Sequence, residues 1–160
     1  MPGEALLIGI ATVAVVVAGF AAIAPGLAPE RSPWSAAQRF RVRAIVSTSF
    51  NVTFEALLPV VLFPALTDER TTLALASALA FGYLVFVVGL RTRQLLQTGA
   101  LRVRWAQVGM AAGYGATALF GLNALVFGSL TAYGLALCIQ LLVSAISFYS
   151  LVAGSDNPPA

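Results

Sequence analysis

Long apolar runs separated by short polar stretches dominate the chain. The runs cover about residues 5–28, 44–66, 72–90, 105–128 and 131–153. Each is close to the 20 or so residues that a helix needs to cross about 30 Å of hydrocarbon. The last two are separated only by Gly128, Ser129 and Leu130. Read as one helix they would extend about 70 Å at 1.5 Å per residue, more than any bilayer accommodates, so they form a tight helical hairpin. The first run is too long for a signal-peptide core, and Met1-Pro2-Gly3-Glu4 lacks the basic start of one. It reads as a retained helix.

Boundary residues extend several runs into longer helices. Ser32 before Pro33 is an N-cap followed by proline at the first helical position. Asp68 and Glu69 place carboxylates where the next helix dipole favours them, and Gly99 suits a helix end. The predicted helices are then about 5–28, 33–66, 68–98, 102–128 and 131–153. The expected architecture is all-α: a polytopic membrane bundle of five transmembrane helices in a single domain.

Charge adds an orientation. Eight of the nine arginines lie in alternate connections, Arg31, Arg39, Arg41 and Arg43 in the first and Arg91, Arg93, Arg102 and Arg104 in the third. The positive-inside rule makes those connections cytoplasmic, which puts the N-terminus outside and the C-terminus inside. Trp34 and Trp105 beside them suit the headgroup layer. The arginines read as topology signals that also offer contacts to anionic lipids. Arg41-Val42-Arg43 and Arg102-Val103-Arg104 each open a two-helix hairpin, but the residues around them barely match.

Composition then removes whole classes of function. The chain is 59% apolar and 9% charged, against about 45–50% and about 25% for a soluble domain. That excludes a soluble enzyme and a nucleic-acid-binding domain. There is no histidine or lysine and one cysteine, Cys138. The usual haem and zinc ligand, a Schiff-base amine and an internal disulfide are therefore absent. No phosphate loop, dinucleotide fingerprint or nucleophile elbow occurs. The Asn51-Val52-Thr53 sequon lies inside an apolar run and is incidental. Neither a cofactor nor catalysis is expected. The lysine-free, alanine-rich composition fits a GC-rich bacterial genome, and with it the plasma (inner) membrane of a bacterium as location.

One residue stands apart. Glu55 lies 12 residues past Arg43, about 18 Å along the helix and close to mid-bilayer. A carboxylate there costs about 2.5–3.5 kcal/mol on insertion scales, and hydrocarbon disfavours its charged form unless a partner compensates. Thr48 and Asn51 share its helix face at spacings of three and four. Pro59, four residues on, removes the N–H that the Glu55 carbonyl would accept, and Pro64 does the same to Val60. Tyr83, Tyr114 and Gln140 lie near the same depth on other helices, with Ser144 and Ser147 continuing the Gln140 face and Thr117 that of Tyr114. Asn123 sits farther out.

Two readings follow. A titratable group at the membrane centre is what proton or cation passage requires, so the chain is expected to be a transporter or channel subunit with its site at Glu55, Asn51, Thr48, Pro59, Gln140, Tyr114 and Tyr83. The alternative is a scaffold, sensor or assembly partner in which these residues hold helices together. Five helices make a thin bundle, so a homo-oligomer or a partner membrane subunit is expected. Small residues at Ala14, Ala18 and Ala22, at Ala74, Ala78 and Gly82, and at Gly109 and Gly113 mark the predicted close-packing faces.

Overall fold

The computed structural model describes Met1 and residues 3–27, 36–98 and 104–152. The described residues form five α-helices: α1 (Glu4–Leu27), α2 (Ala36–Leu66), α3 (Glu69–Thr98), α4 (Arg104–Leu122) and α5 (Leu130–Val152). A π-helical turn, Asn123–Phe127, extends α4. All five helices are long and apolar enough to cross a membrane. Arg31, Ser32, Pro33, Trp34, Gly99 and Arg102 lie outside the described residues, as do the side chains of Arg104 and Trp105.

Helix α2 is the hub. It packs against α1, α3 and α5, while α4 bridges α3 and α5. The core along these seams combines Leu7, Val52, Leu73, Phe120, Tyr133 and Leu137, all essentially inaccessible. The apolar side chains on the outer faces, such as Phe54, Phe86 and Leu125, are exposed, as a lipid-facing surface requires.

The small-residue faces differ in part from those predicted. On α1 the buried stripe runs through Ala11, Ala14, Ala18 and Ala21, so it steps to Ala21 where strict four-residue spacing points to Ala22. On α3 the buried stripe is Leu73, Ala76, Ala80 and Leu84. Ala78 and Gly82 face outward instead, and a Cβ at Gly82 would meet nothing within 4 Å. Helix α3 is rich enough in small residues to offer several such stripes, and spacing alone does not choose the one that meets α2 and α4.

Local chemistry explains the turns. Between α2 and α3, Thr67 takes a positive φ of 58°, and Asp68 caps α3 by accepting the Thr71 N–H at 2.7 Å. Between α4 and α5, the Gly128 N–H reaches back five residues to the Asn123 carbonyl at 2.8 Å, which is the π-type bond. The Asn123 side chain donates to Ser77 Oγ at 2.8 Å and accepts the Ser129 N–H at 2.9 Å. Ser129 Oγ in turn accepts the Ala132 N–H, capping α5. Asn123 thus fastens the hairpin to α3.

Gly128 closes this hairpin at φ +54°, and a Cβ there would stand 2.6 Å from Arg70 Cγ and 3.2 Å from the Arg70 carbonyl. Gly128→Ala is therefore expected to cost about 1–2 kcal/mol from the left-handed backbone alone, with the Arg70 contact adding to it. Reversible unfolding in mixed micelles measures this, and an unchanged midpoint would contradict the geometry.

Candidate functional site: a buried carboxyl beside a groove

Glu55 is only 4% exposed and meets α5 twice. Its carboxyl Oε2 accepts the Gln140 Nε2–H at 2.5 Å. Its backbone carbonyl accepts the Tyr133 hydroxyl at 2.5 Å. The second bond follows from the sequence of α2. Pro59 has no N–H to give this carbonyl, and a carbonyl left bare in an apolar interior costs about 1–3 kcal/mol. Tyr133 supplies the missing donor from the neighbouring helix. Its ring is buried edge-on against Phe120, with centroids 5.1 Å apart. The other carboxyl oxygen, Oε1, is buried and has no hydrogen-bond partner.

Two hollows meet near this carboxyl. One is an open groove between α2 and α3 of about 450 Å³, lined by Asn51, Phe54, Glu55, Leu58 and Tyr83 among others. The other is a small chamber of about 50 Å³ that reaches Gln140, Asn51, Thr48 and Arg91. It adjoins a larger cavity of about 100 Å³ toward the arginine-bearing ends of α2 and α3, sharing Thr48, Arg91, Gly109 and Gly113 with it. Asn51 lines both the groove and the chamber, and its Oδ1 accepts the Tyr83 hydroxyl at 2.8 Å. The Asn51–Tyr83 pair is thus a polar partition beside Glu55.

Arg91 closes the far end. Sequence reading places it with the headgroup arginines, although it lies about two turns before the end of α3 at Thr98, and its side chain turns to α2. Its guanidinium donates to Thr48 Oγ1 at 3.0 Å and to Ser47 Oγ at 2.6 Å. Thr48 lies seven residues before Glu55, so the two charged groups are separated by about 10 Å along α2. Arg41 is also buried, at 6% exposure. Arg39, Arg43 and Arg93 are exposed.

The predicted site residues are therefore divided. Glu55, Gln140 and Pro59 come together, and Asn51, Thr48 and Tyr83 line the adjoining hollows. Tyr114 does not join them. It is 52% exposed and pairs with Thr92 Oγ1 at 2.9 Å, because the neighbouring Gly113 takes the inward position on α4. Tyr133 was not among the predicted residues. It precedes Gln140 by seven, which puts both on one face of α5, and the carbonyl freed by Pro59 calls for such a donor. Among the described residues no cluster of acidic, histidine or cysteine side chains could hold a metal ion.

The chain matches no protein-family model, no curated protein sequence and no solved structure.

Proposed function

We propose that this protein is a small multi-pass membrane protein that passes protons or cations, as a transporter or channel subunit, with Glu55 as the exchanging group. The observation that carries this reading is the half-satisfied carboxyl. A purely structural acid in hydrocarbon gains by pairing both oxygens, since each bare polar atom is costly. Glu55 leaves Oε1 without a partner on a residue that lines the groove, and its partner Gln140 lines the chamber. An ionisable side chain inside membrane helices is characteristic of ion and proton pathways.

The arginine-bearing ends face the cytoplasm in this reading, with the N-terminus outside and a bacterial inner membrane as the location. Arg39, Arg43 and Arg93 then meet anionic headgroups. The groove between α2 and α3 opens at the bundle's apolar surface, so a second copy or a partner subunit completes the outer half of the path.

The runner-up is a non-catalytic scaffold or assembly partner. It is favoured by the bonds that tie Glu55 to α5 and Asn123 to α3, which are of the kind that hold membrane helices together. The test is a pH-gradient assay on liposomes holding the purified protein, with a proton-sensitive dye inside. Flux above empty liposomes that is lost in Glu55→Gln supports conduction. No flux in the parent, or unchanged flux in the variant, rejects it in favour of the scaffold.

A further inference from the structure

The cavity at Arg91 has the makings of an anion site. No carboxylate among the described residues forms an ion pair with Arg91. A guanidinium carries five N–H donors, and two are spent on Ser47 and Thr48. Those two hydroxyls accept from Arg91 and keep their own O–H for another partner. Ser144, 1% exposed on α5, lines the same cavity with an Oγ that has no hydrogen-bond partner. Arg91, Thr48 and Ser144 thus line one hollow to which no described residue contributes a carboxylate.

We infer that the cavity bounded by Arg91, Thr48 and Ser144 binds a small monocarboxylate with a short apolar tail. Three features choose this ligand. The planar guanidinium fork matches a carboxylate through two parallel hydrogen bonds. Among the described residues Arg91 is the one charged side chain on the wall, so it balances a single negative charge. A phosphate or dicarboxylate dianion would bury a second charge uncompensated. The remaining wall is mainly apolar, with Val88, Met110 and Val143 beside Gly109 and Gly113. At about 100 Å³ the cavity is smaller than the 150 Å³ or so that holds benzene in an engineered protein core, which suits an acid of two to four carbons.

This deepens the proton reading and rests on it for transport, though not for binding. A carboxylate at Arg91 and a proton at Glu55, about 10 Å apart along α2, together form a neutral load. Proton and acid anion would then move in the same direction.

Binding is measured on the whole protein in lipid nanodiscs with radiolabelled butyrate, competed by acetate, chloride and inorganic phosphate. Saturable binding is expected, with acetate competing and chloride and phosphate doing so poorly. Arg91→Gln should weaken butyrate about 30-fold or more, the loss expected when one partner of a buried charged pair is removed. Arg91→Lys keeps the charge without the fork and should fall between. Gly109→Ala gives a control that keeps the charge and the fold, because its Cβ would meet Val143 Cγ1 at an ordinary 3.8 Å. It narrows the cavity and should weaken butyrate more than acetate. No saturable binding, equal affinity in Arg91→Gln, no change of chain-length preference in Gly109→Ala, or chloride or phosphate competing as well as butyrate would each overturn the inference. Glu55-dependent flux without butyrate binding rejects the anion site alone. Butyrate binding without Glu55-dependent flux rejects the proton reading alone.

Discussion

Glu55→Gln is expected to bring proton flux down to the level of empty liposomes while leaving the bundle folded. The substitution keeps shape and the acceptor that Gln140 uses, since an amide oxygen at the Oε2 position still takes the Nε2–H. What it removes is the exchangeable proton. Its stability should stay within about 1 kcal/mol of the parent, the usual scale for a single polar contact between membrane helices. Glu55→Leu makes the contrast. It strands the Gln140 amide at a buried position on α5, and an unsatisfied buried donor costs about 1–3 kcal/mol. Flux and unfolding measured on the same preparations separate the two roles. Conduction predicts that Gln and Leu variants are equally dead in flux but unequal in stability. If Glu55→Gln conducts like the parent, the carboxyl is structural.

Tyr133→Phe should destabilise the bundle by about 1–2 kcal/mol, and Pro59 determines why the loss reaches that size. Hydrogen bonds between membrane helices average about 0.6 kcal/mol, because separated helices find other partners for the same groups. The Glu55 carbonyl does not, since its own helix lacks the N–H at position 59 in either state. Its bond to Tyr133 should therefore sit at the upper end of the range. The same argument predicts coupling. In a Pro59→Ala background the helix satisfies this carbonyl itself, so Tyr133→Phe should become nearly silent. A double-mutant cycle by unfolding in mixed micelles reads the difference directly. Additive effects of the two substitutions would show that the Tyr133 hydroxyl does not act through the carbonyl that Pro59 leaves without its N–H.

Much of this arrangement is legible in the amino-acid order because hydrocarbon imposes harsh rules on it. Apolar runs of the right length mark the five helices, and the Gly128-Ser129 break between the last two is a two-residue turn in the structure. Glu55 stands out because it is the one carboxyl deep in an apolar run, and Pro59 predicts a carbonyl in need of a donor. What could not be read is rotation. Whether Gly113 or Tyr114 faces inward on α4, and whether Ala76 or Ala78 does so on α3, depends on how neighbouring helices settle. An apolar residue on either side costs little in lipid, so hydrophobicity does not report the inward face as it does in water. Arg91 was obscured for a related reason. The predicted helix already runs past it to about residue 98, but only the packing of α3 against α2 sets the guanidinium on Ser47 and Thr48.

The contact between Gln140 and Glu55 has a further consequence. An arginine or lysine in place of Gln140 would hold the acid only while it is charged. An amide has a giving half and a taking half. Facing one way it serves the anion, and turned over it accepts from the neutral acid's O–H. If Glu55 exchanges protons as proposed, one side-chain torsion is enough to serve both forms, while α2 and α5 keep the same distance. The resting shape of the bundle would then be independent of its cargo. Turnover would be timed by the swivel of a single amide, a motion far faster than the parting of two helices.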